Sequence, residues 1–288
     1  MTCREKAMDK SDDYSTLPNK APDNFELKVF DDISNYQSTI EHLNFDFGSI
    51  EKKTHLHFSL INHLITDLEC QHYINESERA GYTPLNGYQT SYRSNDRVTI
   101  VSSSLADLLF KRLSSYFPDT ILHHSEQWQP IGLNEVFRFC RYGPGGVFGA
   151  HRDSHFSRSS NERSFITINI YLNKTDGGCT RFLDPKSEEV IFACQPEAGK
   201  ALVFRHNEYH DGDILQSGQK YLMRTDLMYR LIPGNTQQID SVNDKQMQAK
   251  QLYAQAEEFE EQGQFEKAVQ YYKKAITLWP RIEHEIYD

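Results

Sequence analysis

His151 and Asp153 stand two residues apart, a few positions past the turn Gly143-Pro144-Gly145-Gly146. In an extended segment residues i and i+2 point to the same side, so an imidazole and a carboxylate converge on one point. A second histidine from a later strand would complete two histidines and one carboxylate on one face of a metal. That donor set suits non-haem Fe(II), because it leaves positions open for a co-substrate and for oxygen. The histidines that follow are His155, His206, His210 and His284. His210 is the preferred third ligand, since Glu208-Tyr209-His210-Asp211-Gly212 runs straight into a strand-like stretch. His206 is the alternative. His155 could also turn inward by the period of two, and His284 lies in the tail.

Ten residues past His210, Lys220 opens a long strand-like run to residue 231. Lys220 and Arg224 share one face by period two, and Tyr221, Met223, Thr225 and Leu227 take the other. A cation on the inward face of a buried strand is costly unless an anion meets it. A dicarboxylate co-substrate would supply that anion. A protein carboxylate, Asp226 or Glu189, is the competing partner.

These side chains need a rigid frame, and most strand signals fall between residues 134 and 231. Residues 136–142 alternate Phe137 and Phe139 with Arg138 and Cys140 before the Gly-Pro turn. Further strands are expected over 164–172, 179–183, 189–193, 201–205 and 220–231, with a turn at Asp176-Gly177-Gly178. Short strands at this spacing indicate an antiparallel sandwich or jelly roll. Upstream, residues 25–30 make a short strand candidate, and 97–101 another. Apolar residues at helical spacing run from 55 to 80, through Leu60, Ile61, Leu64, Ile65, Leu68, Tyr73 and Ile74. Thr66 or Asp67 would cap a second helix there, and Gly81 would end it. Ser103 or Ser104 would cap another helix, striped by Leu105, Leu108, Leu109 and Leu113 and stopped near Pro118. The fold class is therefore mainly β with flanking α-helices.

The chain of 288 residues carries 31 basic against 41 acidic side chains, a net charge of −10. That argues against a nucleic-acid or acidic-membrane partner, which calls for a basic face. No apolar run approaches the roughly 20 residues that span a bilayer. The start, Met1-Thr2-Cys3-Arg4-Glu5-Lys6, has no apolar core of a secretory signal. Five cysteines without a close CxxC pair read as reduced thiols, so a cytoplasmic or nuclear setting is expected. Residues 1–24, polar and with two prolines, read as a disordered leader.

After Ile232-Pro233-Gly234-Asn235 the composition turns to Gln, Lys, Glu and Ala. Residues 245–280 read as two amphipathic helices broken at Gln262-Gly263-Gln264, a C-terminal helical hairpin. Ala249, Leu252, Ala256, Phe259, Gly263, Phe265, Ala268, Tyr272, Ala275 and Pro280 resemble one tetratricopeptide unit, with Gln255 in place of the usual Leu. One such unit of about 34 residues cannot bury its own face. The segment 245–288 is thus expected to pack on the remainder of the chain or to take a partner helix; a plain hairpin docked on the sheet is the other reading.

From about Leu60 to Leu231 the sequence resembles the 2-oxoglutarate- and Fe(II)-dependent oxygenases, in the prolyl 4-hydroxylase-like branch. The segments that carry the likeness include Leu68-Glu69-Cys70, Arg138 to Gly145, His151-x-Asp153 and Ile170-Tyr171-Leu172-Asn173. Gly177 to Phe182, His210-Asp211-Gly212 and Gly218-Gln219-Lys220 complete the ordered set. The resemblance implies a double-stranded β-helix within residues 25–234, with iron held by His151, Asp153 and His210. It implies that Lys220 pairs with the far carboxylate of 2-oxoglutarate, with Arg224 assisting or substituting. Tyr142 and Tyr171 match positions that hydrogen-bond this co-substrate; core aromatics with satisfied hydroxyls are the alternative. Hydroxylation of an aliphatic C–H follows, with O2 consumed and succinate and CO2 released. A prolyl or other residue of a protein or peptide is the implied substrate, and ascorbate the implied reductant. Phe148 departs from the Tyr that many relatives carry three residues before the first histidine, so no role rests on that hydroxyl here. Two other classes compete. One is a catalytically weak or inactive oxygenase-fold binding protein acting through its helical tail. The other is a zinc hydrolase on the same three ligands, which lacks a general-base carboxylate beside the metal. The intact triad together with Lys220 favours the oxygenase.

Overall fold

The computed structural model describes residues 14, 17–32, 38–43, 58–85, 87–123 and 126–233, with parts of 248–282. The chain divides into two compact units, Met1–Leu231 and Ile232–Asp288.

In the first unit eight strands wind between two antiparallel sheets. Val136–Tyr142, Glu162–Tyr171, Ala201–Arg205 and Lys220–Leu231 lie in the larger sheet, which further strands extend. Phe148–His151, Thr180–Leu183, Val190–Cys194 and His210–Gly212 make up the smaller one. Counted along the chain, the order across the larger sheet is first, eighth, third, sixth, and across the smaller second, seventh, fourth, fifth. That winding is a jelly roll, the double-stranded β-helix.

The Lys220–Leu231 strand is central, paired on one side with Glu162–Tyr171 and on the other with Val136–Tyr142. Period two divides it. Tyr221, Met223, Leu227 and Tyr229 join one core cluster with Phe137, Phe139, Ile166, Ile168 and Ile170. Lys220, Leu222 and Arg224 turn to a cavity on the opposite face. Between the sheets a second cluster draws Tyr142, Tyr171, Leu202, Phe204 and Leu222 from the larger and Phe182 and Cys194 from the smaller.

Two helices cover the first cluster. Asp67–Ala80 begins with a reciprocal capping box, in which Thr66 Oγ1 accepts from Glu69 N and Glu69 Oε2 accepts from Thr66 N. It ends at Gly81, whose φ of 91° suits a residue without Cβ. Ser103–Leu113 is capped by Ser102 rather than Ser103 or Ser104, because Ser102 has extended backbone and its Oγ accepts from Leu105 N. Arg112 joins the two helices. It pairs at 2.7 Å with Glu69, both buried, and also donates to Leu64 O and to Asp31.

Three upstream segments differ from the sequence reading. Residues 58–62 form a strand, Phe58–Asn62, not a helix, and pair with Ala201–Arg205. Ile61 and Leu60 enter opposite core clusters, so both faces are apolar and the run imitates helical spacing. Residues 25–30 form no strand. Their backbone is taken up by helix side chains instead: Lys28 N donates to Glu76, and the carbonyls of Glu26 and Phe30 accept from Arg79 and Tyr73. Residues 19–21, read as part of the leader, are tied to the Asp96–Val101 strand by Ala21 N to Thr99 O and Thr99 N to Asn19 O. Strands at Thr39–Leu43 and Glu126–Leu133 are additions to the expected set.

In the second unit the helix Phe265–Leu278 is described, and Ala249, Tyr253, Ala275 and Ile282 form a small buried cluster. The expected break at Gln262-Gly263-Gln264 and Pro280 fall outside the described residues. No helix among the described residues is long and apolar enough to cross a membrane.

Candidate metal centre

His151 ends one strand of the smaller sheet, His210 begins its antiparallel neighbour, and the two are directly opposite in register. Asp153 follows in the next loop, where its N–H donates to His206 O at 2.8 Å. One ligand atom from each of His151, Asp153 and His210 lies within 4.8 Å of the others. Asp153 Oδ1 is 3.7 Å from His151 Nε2, and Oδ2 is 3.9 Å from His210 Nε2. Two donors bound to one ion at about 2.1 Å can be at most about 4.2 Å apart, and both separations meet that limit.

The far side of each ring explains why Nε2 is the donor. His151 Nδ1 is 2.9 Å from Gly149 O, and His210 Nδ1 is 2.8 Å from Glu208 O. A carbonyl only accepts, so each Nδ1 carries a proton, and Nε2 is the nitrogen each ring turns toward the cluster. Burial pushes the His210 imidazole down to about 4, against the pull of Asp153, so it is neutral at neutral pH. Burial alone would raise the Asp153 carboxyl, but Arg224 and the two imidazoles hold it well below the usual range. The donor set thus offers two imidazole nitrogens and one carboxylate, the types that suit a facial metal site.

A second layer fixes the carboxylate. Ser164 Oγ lies 2.8 Å from His206 Nε2, and His206 Nδ1 lies 2.9 Å from Thr167 Oγ1. The Thr167 hydroxyl donates to Asp153 Oδ2 at 2.6 Å, so it must accept from His206 Nδ1–H. Both nitrogens of His206 are therefore committed, which leaves it no lone pair for a metal. His155 is exposed and is not part of the cluster.

Lys220 and Arg224 line the same cavity but differ in what holds them. Arg224 is 3.2 Å from Asp153 Oδ1 and 3.3 Å from Asp226 Oδ1. Lys220 is 4 % exposed, donates to Gly178 O at 2.6 Å, and has no ion pair among the described residues. Neither Asp226 nor Glu189 meets it: Asp226 is engaged by Arg224 and Arg138. Burial pushes the Lys220 ammonium down to about 8. Its Nζ lies 5.2 Å from the Tyr142 ring centroid and 5.5 Å from that of Tyr171. Tyr142 lines the cavity, whereas the buried Tyr171 hydroxyl donates to Thr180 Oγ1 at 2.8 Å.

Sequence reasoning missed Arg93, Arg138, Asn169 and Thr180 in the cavity wall, and Thr167 behind it. For Thr167 and Asn169 a signal existed, since they are polar positions at period two among Ile166, Ile168 and Ile170. Asn169 Oδ1 is buried without a partner among the described residues, and a flipped amide would offer Nδ2 to the cavity instead. Arg93 has no local signal and reaches the site through a bridge between its backbone and Phe148.

Residues 137–225 match the family described as the 2OG-Fe(II) oxygenase superfamily. No curated protein matches the chain. Among solved structures, the viral collagen prolyl hydroxylase of Paramecium Bursaria Chlorella virus-1, in complex with 2OG, is 17% identical; the match covers 60% of this chain and 96% of that one, with a TM-score of 0.42. A Pseudomonas putida prolyl-4-hydroxylase is 16% identical over 61% of this chain and 93% of its own, with a TM-score of 0.42. The carbocyclase SnoK of nogalamycin biosynthesis, described as non-heme and alpha ketoglutarate dependent, is 12% identical over 63% and 84%, with a TM-score of 0.43.

Proposed function

We propose that this protein is an Fe(II)- and 2-oxoglutarate-dependent dioxygenase that hydroxylates an aliphatic C–H of its substrate. His151, Asp153 and His210 would hold the iron, and Lys220 the far carboxylate of 2-oxoglutarate. Together the bound iron and keto acid supply the oxidising chemistry, in which O2 and 2-oxoglutarate yield succinate and CO2 as one oxygen atom enters the substrate.

The observation that carries this reading is Lys220: a buried ammonium, without an ion pair among the described residues, lining the cavity of the His-Asp-His cluster. A buried cation is costly unless an anion meets it, and a dicarboxylate entering this cavity would do so. The protein's own residues do the rest. Two backbone carbonyls fix both ligand tautomers, and the Ser164-His206-Thr167 relay with Arg224 sets the Asp153 carboxylate. Tyr142 offers the co-substrate an aromatic wall beside Lys220.

A prolyl residue of a protein or peptide is the first substrate class to try, with ascorbate present as reductant. The tail helix and its small cluster support a tetratricopeptide-like segment that takes a partner helix. Purified chain should release succinate from 2-oxoglutarate with Fe(II), stimulated by a peptide pool, and His151→Ala and Asp153→Ala should abolish it while remaining folded. Near-normal turnover by either variant at limiting iron would sink the assignment.

A further inference from the structure

Four cations line the cavity: Arg93, Arg138, Lys220 and Arg224. Arg224 pairs with Asp153 and Asp226, Arg138 pairs with Asp226, and Lys220 is assigned above to the keto acid. Of the two carboxylates in the cavity wall, Asp153 belongs to the triad and Asp211 is gripped by Arg181 through bonds of 2.8 and 2.5 Å. Arg93 is left with no ion pair among the described residues.

Its setting is nevertheless built. Arg93 Nε donates to Asn95 Oδ1 at 2.9 Å, and the buried Asn95 is itself fixed by donating to Asp96 O. The guanidinium carbon lies 3.9 Å from the Phe148 ring centroid, and that ring stacks on His151 at 3.8 Å and 24°. Backbone bonds from Ser94 N to Val147 O and from Gly149 N to Tyr92 O stitch the segment to the strand that carries His151. The guanidinium is therefore held one ring away from a metal ligand, with its two terminal nitrogens making no hydrogen bond among the described residues. A planar, oriented guanidinium fork is the side chain best matched to a carboxylate.

We propose that Arg93 determines specificity by binding a carboxylate of the substrate, so that the molecule hydroxylated here is an acid. The chemistry is shared by an acidic residue of a peptide and by a small carboxylic acid. The inference rests on the oxygenase reading and deepens it.

The test uses the full chain loaded with Mn(II) and 2-oxoglutarate, so that nothing is turned over. Fluorescein-labelled peptide pools rich in Asp and Glu, in Asn and Gln, or in Lys are titrated by anisotropy. Small carboxylic acids and their amides, followed by calorimetry, form the second arm and separate the two sources. In one arm acids should bind about tenfold or more tighter than amides, as expected for about 1.4 kcal/mol per decade. Arg93→Gln should erase that preference, and Arg93→Glu should turn it toward the Lys pool. Equal binding of acids and amides in both arms overturns the proposal, as does an Arg93→Glu variant that weakens every probe alike, the mark of a merely structural stack. If 2-oxoglutarate gives the Mn(II)-loaded chain no thermal stabilisation while acids still outbind amides, the oxygenase reading fails and the Arg93 carboxylate site stands.

Discussion

At the scale of single residues, two cations four positions apart on one strand have been given different tasks. Arg224 is spent on Asp153 and Asp226, whereas Lys220 faces the cavity with a carbonyl and two tyrosine rings beside it and no ion pair among the described residues. Lys220→Ala should therefore raise the apparent 2-oxoglutarate constant by about 30-fold or more, from a typical loss of about 2–5 kcal/mol for a buried charge pair. Arg224→Ala should act on the metal instead, weakening Fe(II) binding by about tenfold or more, as loss of an outer-shell partner typically does. Titrations of each ligand against both variants check this, and a larger 2-oxoglutarate effect in Arg224→Ala would reverse the assignment. The pH dependence has a definite sign. Burial lowers Lys220 from its ordinary 10.5 to about 8, so the free protein loses the binding ammonium above about pH 8. Affinity for 2-oxoglutarate should be level below that pH and fall above it by up to about tenfold per unit, at about 1.4 kcal/mol per unit. For the unliganded fold the sign is opposite. Between about 8 and 10.5 the unfolded chain holds more of this proton, so the Lys220 contribution to stability rises with pH across that window. Lys220→Arg should make the affinity profile flat, measured by calorimetry from pH 6.5 to 9.5. Period two in a His-x-Asp pair made the convergence of His151 and Asp153 legible, and the fold brings His210 beside them. Spacing after His210 favoured Lys220 over Arg224 as the anchor, but it could not show that Asp153 and Asp226 meet Arg224, which they do only through the fold.

At the scale of elements, the jelly-roll strands were legible where one face is apolar and the other mixed. The bounds at 136–142, 201–205 and 220–231 agree with the observed strands, because turns with Gly, Pro or Asp bracket runs of alternating character. Legibility failed at Phe58–Asn62, where both faces are buried and periodicity carries no information, and at 25–30, where helix side chains take the backbone bonds that a neighbouring strand would. The helices also hide their main tie, since Glu69 and Arg112 are 43 residues apart. Arg112→Met should cost about 3–5 kcal/mol by leaving buried Glu69 unpaired. The double variant with Glu69→Met should recover much of that loss, although the capping box goes with Glu69. Urea melts of the three proteins decide the matter, and a double variant no better than Arg112→Met would refute the ion-pair account. Gly199 is a second tie. Its φ is +75°, it accepts from Leu64 N and donates to Tyr171 O, and an added Cβ would overlap the Ile65 carbonyl oxygen. Gly199→Ala should therefore destabilise by about 1–3 kcal/mol, lowering the urea midpoint with little change in slope.

At the scale of the whole molecule, global and local charge point in opposite directions. The chain carries −10 overall, yet four cations face two carboxylates in the cavity wall. Net charge argues against a nucleic-acid partner, but it could not reveal a cationic pocket assembled from residues 93, 138, 220 and 224. The composition turns to Gln, Lys, Glu and Ala after Ile232, and the two compact units divide between Leu231 and Ile232. Each unit has its own core. The two clusters of the first are built from residues up to Leu231, and the cluster of the second from Ala249 onward. The cores differ greatly in size. The first holds dozens of buried side chains, enough for an independent fold, whereas the second rests on Ala249, Tyr253, Ala275 and Ile282 with a few partly buried neighbours. A segment of under about 60 residues with so small a buried cluster is marginal on its own. Truncation after residue 234 should therefore give soluble protein whose iron-dependent 2-oxoglutarate turnover on a short peptide stays within about twofold of the full chain, roughly 0.4 kcal/mol. The isolated segment 235–288 should show little helix by circular dichroism until a partner supplies the missing face. Insoluble protein from the truncation would show that the first core depends on the tail. A fully helical, cooperatively melting tail peptide would show that the second core is sufficient alone, and the search for a partner helix would lose its physical reason.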